Sequence, residues 1–211
     1  MSKNKTRDEI EEKYKWDLSG LYKSDDCWEE DYRKVEKELS QLLGFKGFLS
    51  DPRKLEQFMQ AYIDFSIVKE NLYVYANVRF FEDTRKTIYE EMKGRIELLV
   101  SKISAETVFI KKELSDLSEE DIDKIIHENS QLSEYRFFLD GYARYNPHIL
   151  SEETEIVLAE LGIALGKPDD IFSAFNDNNI SFEVFEHKGE EIHLSHAKYV
   201  QILESDRKSV V

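Results

Sequence analysis

Glycine and proline are scarce in this 211-residue sequence, at eight and three residues, and cysteine occurs once. An all-β sandwich or barrel reverses its chain often and draws on both turn formers, so this scarcity argues against that class and favours long helices. The lone Cys27 excludes an intramolecular disulfide and fits a reducing compartment. No apolar run approaches the ~20 residues needed to span a bilayer. The opening MSKNKTRDEIEEKYKW has no apolar stretch behind its basic residues, so a secretory leader is not expected. Cationic residues are outnumbered too: 29 Lys and Arg face 44 Asp and Glu, a net charge of −15. Nucleic acid and anionic membranes both select a basic face, so neither partner is expected. The expectation from these absences is an acidic cytoplasmic protein.

What is abundant is apolar and aromatic. Hydrophobic residues make up 41%, and 13 Phe, 11 Tyr and 2 Trp supply enough buriable surface to exclude a wholly disordered chain. Tyr14, Trp16, Leu18, Leu21 and Tyr22 crowd a stretch without helical period, which reads as an arm laid across a helical body. Ser24 is a good N-cap, and Trp28, Tyr32, Val35, Leu39 and Leu42 then recur at steps of three and four. Asp51-Pro52 opens a second helix, with a stripe through Leu55, Phe58, Met59, Tyr62, Phe65, Leu72, Tyr73, Ala76 and Phe80. A third follows the turn at Asp83-Thr84, with Ile88, Met92, Ile96, Leu99, Ile103, Thr107 and Ile110 on one face. Short connections between long helices imply antiparallel neighbours, an up-down-up array.

Shorter elements follow. Ser118 with Asp121 resembles a capping box for a helix over Ile122 to His127. Another helix is expected over Leu132 to Arg144, stopped by Asn146-Pro147. Ser151 caps the next, which Gly166 is expected to close, with Pro168 starting one more through Ile171, Phe172 and Phe175. After the polar break at 176–179, alternation from Ile180 to Glu186 and in Glu190–Leu194 around Lys188-Gly189 predicts a β-hairpin. Ser195 caps a last helix. The fold class is therefore mainly α: long antiparallel helices, then short helices and one small β-hairpin. Charge is uneven along this order, with a net −3 over residues 1–110 and −12 over 111–211. Such a run reads as a solvated face or as an acidic wall that attracts cationic ligands.

Candidate chemistry is thin. His127-Glu128 opens like the zinc-peptidase pattern H-E-x-x-H, but the fifth position is Gln131, and Asn129-Ser130 interrupts the helix that would align the ligands. His187, His193 and His196 lie close to Glu186, Glu190 and Glu191, yet they straddle a strand-to-helix junction, and solvent exposure is the simpler reading. Cys27 is flanked by Asp25, Asp26, Glu29 and Glu30, which disfavour a reactive thiolate. There is no phosphate-binding glycine loop and no serine elbow. No catalytic, cofactor-binding or metal-ligating residue is assigned.

Three stretches taken in order do resemble a known family. KYKWDLSGLYKSDDCWEEDY (residues 13–32) resembles the start of oligoendopeptidase F and its relatives. LYVYANVRFFEDTRKTIYEEM resembles that family's second-to-third helix junction, and DGYARYNPHILSEETEIVLAELG with PDDIFSAFNDNNISFEVF and LSHAKYVQILESDRKSV resembles its next region. The family comprises zinc metallo-oligopeptidases, related to thimet oligopeptidase, that cleave short peptides in a deep channel between helical lobes. The resemblance implies an N-terminal portion that walls the channel. The zinc ligands are expected downstream of this chain, so this chain alone should be inactive. On that reading, residues 1–113 form the arm and long-helix array, 114–194 the short-helix region with its hairpin, and 195–211 the start of a helix leading into an absent catalytic lobe. Oligopeptide substrates would then be partners of the parent enzyme, and a dimer could form through surfaces exposed by truncation. The alternative is a non-enzymatic helical interaction module.

Overall fold

Ser24 sits in extended backbone, φ −158° and ψ 165°, and its Oγ accepts a hydrogen bond from the Cys27 amide, which starts helix α1 (Asp25–Leu43). Asp25 and Asp26 put negative charge in the first turn, where backbone N–H groups lack partners. A computed structural model describes residues 7–176, 180, 182–187 and 189–207, excepting the side chains of residues 163, 185, 187, 190, 196, 197 and 205–207. Trp28, Val35, Leu39 and Leu42 of α1 are buried, as their spacing predicts. Gly47 takes φ +86° in the following turn, a left-handed conformation that favours glycine. The Glu113 carboxylate holds that turn by accepting from the Gly47 and Leu49 amides at 2.7 and 3.2 Å.

Asp51 Oδ1 accepts from the Arg53 and Lys54 amides, and Pro52 at the first helical position completes the entry to α2 (Pro52–Glu82). Its 31 residues span about 46 Å. Leu55, Phe58, Met59, Phe65, Leu72 and Ala76 are buried as expected, but Tyr73 is exposed and Tyr75 takes the inward place. The reason is tertiary: Tyr75 faces the start of α1, where its hydroxyl donates to Asp25 Oδ1 at 2.7 Å and its ring meets Tyr22 edge-on at 5.3 Å. Trp28 donates its indole N–H to the Leu72 carbonyl at 2.9 Å, and Phe45 meets Phe58 at the other end. These contacts run α1 and α2 antiparallel.

Helix α3 (Thr87–Glu106) packs back along α2. It buries Tyr89 in place of the expected Ile88, which is exposed. The expected continuous run to Ile110 breaks at Thr107, whose Oγ1 donates to the Ile103 carbonyl at 2.7 Å, and Phe109 and Ile110 belong to a separate helix, α4 (Val108–Ser115). A β-branched hydroxyl residue that bonds back to its own turn competes with helix propagation.

The Ser118–Asp121 capping box is present and opens α5 (Glu119–Glu128). The single helix expected over 132–144 is instead a 3-10 turn, Ser130–Tyr135, followed by α6 (Arg136–Tyr145). Asn129 causes the difference: its side chain caps the turn through the Gln131 amide and also donates to the Pro52 carbonyl and Glu56 Oε2. Pro147 ends the helical run in a short 3-10 turn. Helix α7 (Glu152–Ala174) continues through Gly166 and Pro168, where the sequence predicts a stop and a restart. Nothing lies within 4 Å of a Cβ placed on Gly166, and the surrounding residues are exposed, so the proline's conflict with the Ala164 carbonyl is relieved on an unpacked surface. Lys167 pairs with Asp170 at 2.8 Å across the proline.

The chain divides into two compact units. Residues 16–164 hold a continuous core from Tyr22 to Leu139. In that unit Leu18, Leu21 and Tyr22 pack on the helices, but Trp16 is exposed, so the aromatic arm docks only through its second half. The other unit joins residues 1–15 with 165–211. It contains the expected hairpin, β1 (Val184–His187) paired antiparallel with β2 (Glu190–His193), with Gly189 at φ +81° in the turn. Ile192 is its buried apolar residue among those described. Ser195 caps α8 (His196–Arg207) through the Lys198 amide. Part of the polar break, 177–179, with Ser181 and Lys188, lies outside the described residues.

Candidate functional surface

Among the described residues, those singled out from sequence do not converge. His127 and Glu128 are exposed at the C-terminal end of α5, and Asn129 leaves the helix immediately after them. His193 is exposed on β2, Glu186 stands opposite Glu191 across the hairpin, and the side chains of His187, Glu190 and His196 are outside the description. Cys27 is exposed in the first turn of α1. Among the described residues, no group of three or more His, Cys, Asp and Glu is placed to hold a metal ion. No helix among the described residues is long and apolar enough to cross a membrane.

What the helices do assemble is a pair of charge clamps. Arg95 of α3 grips Glu29 of α1 through two parallel bonds of 2.9 and 3.0 Å, while its guanidinium lies 4.4 Å from the Tyr32 ring centre and 5.5 Å from that of Trp28. The Arg95 bond holds the Glu29 carboxyl below its ordinary range and outweighs the effect of burial. One helix pair over, Arg79 of α2 donates to both Asp25 oxygens at 3.2 Å and to Glu82 at 3.0 Å, and also contacts the Tyr89 hydroxyl. Burial alone would lower the Arg79 pKa, but the Asp25 bond and charge raise it. Burial, reinforced by Asp25, pushes the Tyr75 phenol up. Each acidic or basic group here is matched, so both clamps fix helix packing and leave no free acid or base.

A cleft of about 680 Å³ opens between α2 and the 3-10 turn, lined by Glu56, Gln60, Asp64, Gln131, Glu134 and Tyr135. No cationic side chain lines it. Glu56 and Asp64 are partly engaged, by Asn129 at 2.6 Å and Gln60 at 3.4 Å, while Glu134 has no ion-pair partner among the described residues. The cleft attracts positive charge and repels anions.

Residues 113–182 match the family model described as Oligopeptidase F. The chain is 31% identical over 206 residues to the group B oligopeptidase PepB of Streptococcus agalactiae serotype III (strain NEM316), covering 97% of this chain and 34% of that protein. The chain carries an oligopeptidase F N-terminal region. The same region is 26% identical to oligopeptidase PepF of Bacillus subtilis (strain 168), across 97% of this chain and 31% of the relative. Its fold matches the crystal structure of oligoendopeptidase-F from Enterococcus faecium with a TM-score of 0.79 and 29% identity, over 87% of this chain and 36% of that one. The chain thus spans about a third of the length of the curated relatives it matches.

Two features of this oligopeptidase F region escape a reading of sequence alone. The Glu29–Arg95 and Asp25–Arg79 clamps join residues 66 and 54 positions apart, with no local signal. The cleft depends on Asn129 folding the 3-10 turn back onto α2. A second apolar periodicity on α2, out of phase with the one already noted, is the one signal that marks this side of the helix.

Proposed function

We propose that this chain is the helical, non-catalytic N-terminal region of a zinc metallo-oligoendopeptidase, and that in such an enzyme it walls the channel that admits short peptides. The observation that carries this reading is the likeness along 97% of the chain to an oligopeptidase three times its length. The fold supports it: three long helices clamped by arginine–carboxylate pairs make a stiff wall. Among the described residues no group of three or more His, Cys, Asp and Glu is placed to hold a metal ion, which supports assigning peptide-bond hydrolysis to the remaining two thirds of such an enzyme.

The test is a chimera. The matching third of Streptococcus agalactiae PepB is replaced by residues 1–211, and cleavage of a quenched fluorescent oligopeptide is followed with and without chelator. The chimera should cleave in a chelator-sensitive way, and residues 1–211 alone with zinc should not. Robust chelator-sensitive turnover by the 211-residue chain alone would overturn the proposal.

A further inference from the structure

Helix α2 is apolar on two sides. One side fills the core. Roughly opposite it, Ile63, Ile67, Val74, Val78 and Phe81 fall within about 60° of arc at 100° per residue, a stripe facing away from the core. Ile63, Ile67 and Phe81 are 36, 55 and 63% exposed, and Val74 and Val78 are half-buried. A helix that packs on one side only puts polar residues on the other; here Phe81 rests against Phe80 and under Lys93 of α3, while Ile63 and Ile67 stay open to solvent.

The acidic cleft is continuous with the stripe. Gln60 and Asp64 of the cleft lie on the same helix, one turn before Ile63 and Ile67 respectively. Glu56 and Glu134 extend the negative charge beyond the stripe's N-terminal end. Between Glu56 and Glu82 the only cationic residues are Lys69 and Arg79; Lys69 lies towards the core side, Arg79 is turned to Asp25, and Lys93 of α3 stands over Phe81 at the end of the stripe away from the cleft. This surface is therefore an apolar ridge running into an anionic pocket.

We infer that the outward side of α2 docks an amphipathic helix of a separate partner protein, one with an apolar face for the ridge and lysine or arginine at the end that meets the cleft. Helix-on-helix docking reads a partner through anchors at i, i+3, i+4 and i+7, the spacing that Ile63, Ile67, Val74, Val78 and Phe81 present. Charge selects the occupant. A second copy would bring another net charge of −15 and the same uncompensated carboxylates, so self-association through this side is opposed. An anionic bilayer or a nucleic acid is repelled for the same reason. The inference stands on the geometry of residues 56–135 and does not depend on the channel-wall reading.

The experiment uses the 211-residue chain and a fluorescently labelled 18-residue helical peptide with leucines at i, i+3, i+4 and i+7 and lysines at one end. A peptide with glutamates replacing the lysines serves as control. Anisotropy should show saturable binding of the lysine peptide and weak or no binding of the glutamate peptide. The double variant Ile67→Asp, Phe81→Asp removes two exposed anchors without touching the core and should weaken binding about tenfold or more. Glu56→Gln with Asp64→Asn and Glu134→Gln should weaken it several-fold and flatten its salt dependence. Leu98→Asp, at an exposed apolar position of α3 outside the stripe, should leave it unchanged. Equal binding by every variant, no binding by the parent chain, or a dimer in sedimentation that the Ile67/Phe81 variant dissociates would each overturn the inference. Circular dichroism confirms that each variant keeps its helix content.

Discussion

Glu29 shows how much one side chain does at the meeting of α1 and α3. It accepts two bonds from Arg95 and one from Arg33 at 3.2 Å, and Arg95 in turn covers the Tyr32 ring. Its carboxyl titrates below the ordinary value because Arg95 favours the charged form. The unfolded chain, with a glutamate pKa near about 4.3, binds the proton more tightly than the folded one, so the Glu29 contribution is complete above about pH 5 and is lost as pH falls through the lowered folded pKa. Glu29→Gln should cost about 1 kcal/mol at neutral pH, the upper end for a partly exposed pair because the bonds are bidentate. In a chain of this length that is about 2–4 °C in Tm. Thermal melts from pH 7 to 3 check this: the gap between parent and variant should close at the acid end. A gap that persists unchanged at pH 3 would assign the effect to packing.

At the level of elements, the legible features were those written in neighbouring residues. Ser24, Asp51-Pro52, Ser118 with Asp121, and Ser195 each bond backbone within three positions, and each helix starts where they stand. The hairpin followed from alternation and a glycine turn in the same local way. The choice of Tyr75 over Tyr73 and of Tyr89 over Ile88 depended on what lies across the interface, which no window of sequence contains. The cleft was illegible for that reason, since it needs Asn129 to fold a turn onto Glu56; the outward stripe of α2 is written in the sequence as a second periodicity, but it reads as outward only once the core side of α2 is known. Helix α7 failed differently. Gly166 and Pro168 are strong stop signals, yet the helix continues at a cost of about 1 kcal/mol for the glycine and about 3 for the proline. Gly166→Ala therefore has room for its Cβ and a helical backbone to accept it, and it should stabilise α7 locally by about 0.5–1 kcal/mol. Hydrogen exchange of amides 162–172 is the measurement: slower exchange there, with no change over α2, is the expected result.

The whole molecule is unevenly stabilised. The continuous core runs from Tyr22 to Leu139, with Trp28, Phe58, Leu72, Ile96, Leu114, Ile122, Leu132 and Leu139 essentially inaccessible to water. Fully burying such a side chain contributes about 1.5–3 kcal/mol, and this is the term that must offset chain entropy. The unit of residues 1–15 and 165–211 has Ile192 as its buried apolar residue among those described, while Ile171, Phe172, Phe175, Tyr199, Val200 and Leu203 are exposed. Two stacks of structure with such different burial cannot share one stability, because local opening costs only what the local contacts supply. Urea unfolding of the full chain should therefore deviate from two-state behaviour, with ellipticity lost in a shallow early phase before the main transition, while Trp28 fluorescence follows the main transition. A shortened chain of residues 16–164 retains the entire core and should unfold in one transition at nearly the same urea midpoint, without the early phase. A midpoint that falls by more than about a third would show that residues 165–211 contribute to the core's stability through contacts that burial alone does not reveal.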